Sequence, residues 1–270
     1  MKYLEALFPH LPFPDGYTLK GPAEGLHNIR LVIQYKGTAY AGWQRQKGGI
    51  TTIQEVLEDC ISKMINEKIK VNASGRTDAG VHALVQVVNF HTNSTLSPDV
   101  FLKGLNSLLP KDIIVRYTDE VSSDFHSRFN AKSKAYMYLI LNDKISSPFF
   151  RDFSWQIYKK LNLDGMRQAA NYLLGTHDFA SFMNVGTSVE STVREIYNLE
   201  IKNIPPFIII EIEASGFLRH MARNIVGLLV EIGKGERFPN EVPSIIEGTN
   251  RALAAITAPA HGLFLKAIKY

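Results

Sequence analysis

The sequence predicts an α/β (α+β) chain of two halves, each running strand, helix, strand, strand, helix, strand. Three observations predict this. Apolar residues alternate at period two in several short stretches and recur at helical spacing in others. The order of the two kinds of stretch then repeats once along the chain, without obvious identity between the copies. That order is the ferredoxin-like, split βαβ arrangement. Two sheets built this way are expected to face one another across a central cleft, the natural place for a ligand.

The 270 residues, 45% of them hydrophobic, can supply real cores for two modest domains. The expected division is an N-terminal extension over residues 1–28, a first half over 29–124 and a second half over 125–270. The extension is rich in Pro and Gly and lacks a period. From Ile29 to Tyr35 the chain alternates, with Ile29, Leu31, Ile33 and Tyr35 on one face of a half-buried strand. A loop follows through Trp43, Gln44, Arg45 and Gln46. Its aromatics, amides and guanidinium suit a nucleic-acid surface, and by composition they suit an ordinary loop equally.

Thr52 and Glu55 form a capping box ahead of a helix whose apolar stripe is Ile53, Val56, Leu57, Cys60, Ile61, Met64 and Ile65. Cys60 lies on that stripe and reads as a buried filler. Strands follow near Ile69–Ala73 and Ala83–His91. Ser97 and Pro98 open a second helix that Pro110 closes, and Ile113–Tyr117 is the next strand. Beyond a basic connection holding His126, Arg128, Lys132 and Lys134, Ala135–Asn142 is a strand with Tyr136, Tyr138 and Ile140 on one face. A helix over Leu163–Leu174, ended by Gly175, leads to strands at Val193–Ile201 and Phe207–Ala214. Leu218–Ile232 is a buried helix on which Arg219 and Arg223, four apart, share a face. Short helices at Val242–Glu247 and Arg251–Ala255 precede a last strand, Leu263–Ile268.

Composition narrows the function classes. The net charge is +4 and the pI near 9.0, an excess that fits a polyanionic partner. Cys60 is the only cysteine, which excludes an intrachain disulfide and a thiolate metal cluster; a reducing cytoplasm fits. Glu5, Pro9, Pro12, Pro14 and Asp15 interrupt the start of the chain, so no secretory signal is expected there. No apolar run is long enough for a membrane helix. His and carboxylates do not cluster at metal-ligand spacing, and HExxH and P-loop motifs are absent, so no metal is expected.

The stretch richest in chemistry is Ala73-Ser74-Gly75-Arg76-Thr77-Asp78-Ala79-Gly80-Val81-His82-Ala83. Glycines bracket Arg-Thr-Asp between two strands, so the backbone can turn sharply and hold one carboxylate at the lip of a sheet. On an extended backbone Arg76 and Asp78 project to the same side, and a cation at that range favours the ionised carboxylate. Such a carboxylate can serve as nucleophile, base or metal ligand. It can equally be the cap of a tight turn.

Gly75-Arg76-Thr77-Asp78-Ala79-Gly80-Val81-His82 resembles the signature of the TruA family of tRNA pseudouridine synthases. The likeness continues through Tyr40-Ala41-Gly42-Trp43-Gln44-Arg45-Gln46, Phe125-His126-Ser127-Arg128-Phe129, Tyr136-Met137-Tyr138, His177-Asp178-Phe179, Met221-Ala222-Arg223-Asn224-Ile225-Val226-Gly227 and Gly262-Leu263-Phe264-Leu265. It covers roughly residues 29–270 in colinear order. The resemblance implies isomerisation of uridine to pseudouridine at positions 38, 39 and 40 of the tRNA anticodon stem-loop, by base flipping. It implies a cytoplasmic homodimer without metal or organic cofactor. Asp78 would be the nucleophile, Tyr136 would stack on the target base, Arg223 would pair with Asp78, and Arg76 would hold the flipped nucleotide. Trp43, Gln44, Arg45, Gln46, Arg128, Lys132, Lys134, Arg219 and His220 would contact RNA. Family members often carry a basic residue where this chain has Ala135, with Lys134 a stand-in. The competing reading is a non-catalytic tRNA-binding or RNA-folding module on the same fold, which would bind tRNA without releasing the C5 hydrogen of uridine. A retaining glycosidase needs a second carboxylate close to the first, and none is evident.

Overall fold

The computed structural model describes residues 26–184, 189–253 and 255–270. Residues 1–25 of the expected extension lie outside the described residues. Contacts divide the chain into one unit up to Lys132 that also includes Leu265–Tyr270, and a second over Ser133–Phe264.

In the first unit β1 (His27–Tyr35), α1 (Ile53–Ile65), β2 (Asn72–Ala73), β3 (His82–Thr92), α2 (Pro98–Leu108) and β4 (Ile113–Val121) follow in the expected order. The strands lie β4-β1-β3-β2, all antiparallel, which is the ferredoxin-like arrangement. α1 starts where Thr52 Oγ1 accepts the Glu55 amide at 3.3 Å. α2 has Pro98 in its first turn, where the missing N–H costs nothing.

β1 departs from the half-buried reading. Seven of its nine residues are buried, Asn28 and Arg30 among them. The reason is the segment after β4, which covers the face expected to be wet. Asn28 Nδ2 donates to the carbonyls of Ser122 and Phe125, and the Arg30 guanidinium lies 5.5 Å from the Phe125 ring centroid. Ser127 N and Oγ donate to Asn89 Oδ1 on β3. These contacts hold the chain beyond Val121 to the first unit.

In the second unit β5 (Ser133–Leu141), α3 (Leu163–Asn171), β8 (Val193–Ile204), β9 (Phe207–Ala214) and α4 (Met221–Lys234) match expected elements, and β5-β9-β8 pair antiparallel. Two short strands were not legible: β6 (Trp155–Gln156), parallel to β5, and β7 (Gly175–Asp178), on the edge of β8. α3 stops three residues before Leu174, and Gly175, at φ +90°, starts β7 instead of merely ending the helix. α5 (Val242–Glu247) lies as expected, whereas the second short helix is a single 3-10 turn, Arg251–Leu253. β10 (Leu263–Lys269) ends the chain.

α4 is buried nearly all round, and two glycines make that possible. A Cβ at Gly227 would lie 1.8 Å from the Ile256 carbonyl oxygen, and one at Gly233 would meet the Met166 sulfur at 2.7 Å. No helix among the described residues is long and apolar enough to cross a membrane.

Candidate active site

Asp78 stands in the loop between β2 and β3, half-buried beside an exposed Arg76. Residues 75–78 belong to no strand, and the turn comes after Asp78, at residues 79 and 80. The loop's position is fixed from beneath. Thr77 O accepts the Trp43 amide at 3.0 Å, and Thr77 Oγ1 lies 2.8 Å from the Tyr35 hydroxyl. Asp78 O accepts the Val81 amide at 3.1 Å, closing a turn in which Gly80 has φ +78°. Gly42, at φ +91°, lets the preceding loop lie directly on Thr77 and Asp78; a Cβ there would be 2.7 Å from Thr77 O. Gly37 N donates to His82 Nδ1 at 3.0 Å, which anchors the start of β3.

Tyr136, on β5 opposite Ile212, is 7% exposed, with its ring edge-on to Phe217 at 4.8 Å. Arg223 lies in the first turn of α4, half-buried. Its Nε donates to Ala258 O at 2.7 Å, and Ala258 N donates back to Arg223 O at 3.1 Å. Tyr138 is buried with its hydroxyl on Pro259 O at 2.8 Å. Burial pushes that phenol well above its ordinary range, and the Arg223 charge opposes the shift.

Asn224, fully buried beside Arg223, was missed from sequence. Its Nδ2 donates to Phe182 O at 2.7 Å, and its Oδ1 accepts from Thr257 Oγ1 at 2.6 Å and Arg251 Nη2 at 3.3 Å. The signal was an amide next to the apolar run Ile225–Val230 of the helix. The shared helix face of Arg219 and Arg223 is corrected: α4 begins at Met221, because His220 takes φ +64° and breaks the helix ahead of it. Arg219 is exposed and outside the helix, and its carbonyl accepts the Asn184 amide.

Several residues expected on an RNA surface have other partners. Trp43 is 2% exposed, tilted against Tyr35 at 6.2 Å, and so belongs to the loop's foundation instead of presenting a face to a base. Arg45 is ringed by Glu55, Glu58 and Asp59 at 3.2–3.5 Å, and the Glu58 hydrogen bond is the main reason its pKa is raised. Gln44 is tied to Gln54 and Gln46 to the Ala41 carbonyl. Lys132 is exposed and Lys134 half-buried. Arg128 is exposed over the Phe129 ring at 5.4 Å, and the His126 ring lies 4.4 Å from the same ring. Phe129, 74% exposed, was not singled out from sequence. Cys60, expected as a buried filler, is half-buried, and burial raises its thiol pKa. Among the described residues no group of three or more His, Cys, Asp or Glu is placed to hold a metal ion.

A family model described as tRNA pseudouridine synthase matches residues 31–130 and 169–270. A tRNA pseudouridine synthase A of Thermoanaerobacter pseudethanolicus is 45% identical over 245 residues, 91% of this chain and all of that protein. That of Acetivibrio thermocellus is 42% identical and a tRNA pseudouridine synthase A 2 of Bacillus cereus 41%, over the same shares. Among solved structures, one described as an archaeal box H/ACA sRNP Nop10-Cbf5 complex is similar at TM-score 0.35 and 14% identity, over 75% of this chain and 44% of that one. The sequence matches define an isomerase of the pseudouridine-forming class. The chain belongs to the tRNA pseudouridine synthase family.

Proposed function

We propose that this protein converts uridine to pseudouridine at positions 38, 39 and 40 of the tRNA anticodon stem-loop, with Asp78 as the nucleophile. The observation that carries the reading is the bracing of the Asp78 loop. Thr77 is held at its side-chain and main-chain oxygens, and the turn beyond Asp78 is closed by Val81 N. A main chain held at Thr77 and Asp78, in a family that forms pseudouridine, supports a nucleophile whose reaction depends on positioning.

The reaction breaks the ribose C1′–N1 bond, turns the uracil and joins C1′ to C5; the C5 proton is released and N1 takes one up. Nothing is oxidised and no group is added. Asp78 attacks C1′ or C6, or assists loss of the 2′ proton; each route needs the carboxylate ionised and close. Arg223, its Nε committed to Ala258 O, pairs with Asp78 in this reading. Tyr136 packs against the detached uracil, and stacking of that kind contributes about 1–3 kcal/mol per base. A base within a stem must first be flipped, which costs a few kcal/mol, and the exposed Arg76 holds the displaced nucleotide. Arg128, Lys132, Lys134, Arg219 and His220 serve as backbone contacts, which position RNA without reading sequence. The working form in this reading is a cytoplasmic homodimer.

The test is tritium release from tRNA labelled at uridine C5. Asp78→Asn is expected to bind tRNA and release no tritium. Turnover that survives this substitution removes Asp78 from the nucleophile's role.

A further inference from the structure

We propose that Tyr35 and Gln86 are positioning residues for the reaction, gripping the loop on both sides of Arg76 so that the Asp78 carboxylate is held at one place. The inference rests on the reading of Asp78 as nucleophile, and its residues all belong to the first unit.

Tyr35 is the last residue of β1, and the β1–β3 register slips between Ile33 and Tyr35. An irregularity of this kind re-aims a side chain. Here the buried phenol reaches out of the strand to Thr77 Oγ1 at 2.8 Å, its ring lying against Trp43. Trp43 in turn donates its amide to Thr77 O. Thr77 is therefore clamped at two oxygens by two residues that touch one another, one position before Asp78.

Gln86 performs the matching task on the other side of Arg76. It has no exposed surface and sits in the apolar run Val85, Val87, Val88 of β3. Its Oε1 accepts from Ser74 Oγ at 2.5 Å, and its Nε2 donates to Gly75 O at 2.7 Å. Ser74 N also donates to Val87 O. Both ends of one buried amide are thus spent on the loop.

Stability alone does not account for these choices. Burying a phenol hydroxyl or a primary amide is costly unless it is hydrogen-bonded, and even then the net gain is small. Phenylalanine and leucine would fill the same spaces without that cost. What the polar groups add is direction: they hold Ser74 and Thr77 by their hydroxyls and Gly75 by its main-chain carbonyl. Burial also raises the Tyr35 phenol above its ordinary range, against the hydrogen bonds to Thr77 and Gln86, so the hydroxyl stays protonated throughout the working pH range.

The experiment compares Tyr35→Phe, Thr77→Val, Thr77→Ser and Gln86→Leu with wild type in steady-state tRNA turnover, with thermal unfolding on each. Tyr35→Phe keeps the ring on Trp43 and removes only the hydroxyl. It, Thr77→Val and Gln86→Leu are each expected to lower kcat about tenfold or more with little change in KM, since misplacement of a reacting group costs rate and not affinity. Wild-type kcat in Gln86→Leu removes Gln86 from the positioning role. Thr77→Ser, which keeps the oxygen, restores most of kcat. The Tyr35→Phe/Thr77→Val pair is slower than Thr77→Val alone by less than the full Tyr35→Phe factor, because the two share the Thr77 bond while the Tyr35 hydroxyl also bonds Gln86. Wild-type kcat in Tyr35→Phe and Thr77→Val overturns the inference, as does a loss that Thr77→Ser shares in full or that is fully additive in the double variant. Asp78→Asn is run in parallel. Turnover by that variant overturns the nucleophile assignment itself, whereas its inactivity beside an unimpaired Tyr35→Phe removes the positioning role alone.

Discussion

Replacing Gly227 by alanine sets two effects of opposite sign against each other. In an exposed helix interior the change stabilises by about 1 kcal/mol, because alanine is the better helix former. Gly227, however, lies in the middle of α4, where the new methyl would sit 1.8 Å from the Ile256 oxygen and 3.0 Å from its carbon. Reaching ordinary contact near 3.4 Å requires the carbonyl to withdraw by roughly 1.6 Å. That segment is tied down at three points. Ile256 N donates to Glu231 Oε1 at 3.0 Å, Ala258 N to Arg223 O at 3.1 Å, and Arg223 Nε to Ala258 O at 2.7 Å. Hydrogen bonds to charged groups contribute about 1.5–3 kcal/mol and neutral ones about 1 kcal/mol. Losing roughly half of the three, about 2–3.5 kcal/mol, outweighs the helix-propensity gain and leaves a net destabilisation of about 1–2.5 kcal/mol. Urea unfolding should show a lower midpoint at unchanged slope, and turnover should fall with it as Arg223 loses its brace. A Gly227→Ala protein as stable as wild type, or more so, refutes the claim that residues 256–258 are locked against the helix.

Two further expectations rest on other parts of the first unit. Arg30, 2% exposed, is held by Asp119 through Nε at 2.8 Å and Nη2 at 2.5 Å, so Asp119→Ala should cost about 3 kcal/mol in thermal unfolding. Arg30→Met with Asp119→Leu should cost far less than Asp119→Ala, and equal losses would count against a desolvated pair. His126 should titrate below the ordinary histidine range in an NMR titration, chiefly from desolvation and secondarily from the Arg128 and His91 charges; Arg128→Ala should move it part of the way back. The folded state favours neutral His126, so the small stability it contributes is present above the ordinary histidine pKa and is lost as pH falls from there through the lowered folded-state value. A titration at or above the ordinary range contradicts the burial seen at the 126–130 turn.

Much of the architecture could be read from the chain because it depends on local pattern. α1 declares itself through Thr52 and an unbroken stripe, and α2 through Ser97-Pro98. β6 and β7 escaped because two and four residues are too short to display a period. The start of α4 escaped because it depends on the positive φ of His220, a backbone choice that only glycine announces strongly and that asparagine, aspartate and histidine announce weakly. The burial of β1 on both faces escaped for a different reason. Asn28 and Arg30 are polar, and their burial makes sense only once a segment about ninety residues away supplies the carbonyls and the carboxylate they need.

The acidic loop shows the same limit from the functional side. Its motif was legible, yet the motif contains only the residues being held, and the residues that hold them sit on strands to either side. Tyr35 read as one more apolar position in an alternating strand, and Trp43 as a surface aromatic. Tyr35 is on the buried face as read, but its hydroxyl also reaches Thr77; the Trp43 reading fails because Gly42, with φ +91°, folds its loop back onto Thr77 and Trp43 lies inward against Tyr35. Gln86 left a signal that could have been followed: a primary amide in the centre of a valine-rich strand must find partners or forfeit the strand's stability. Such a residue, like Asn28 and Asn89, marks where the core has been committed to holding a neighbouring segment still. Here that segment is the one that ends in Asp78.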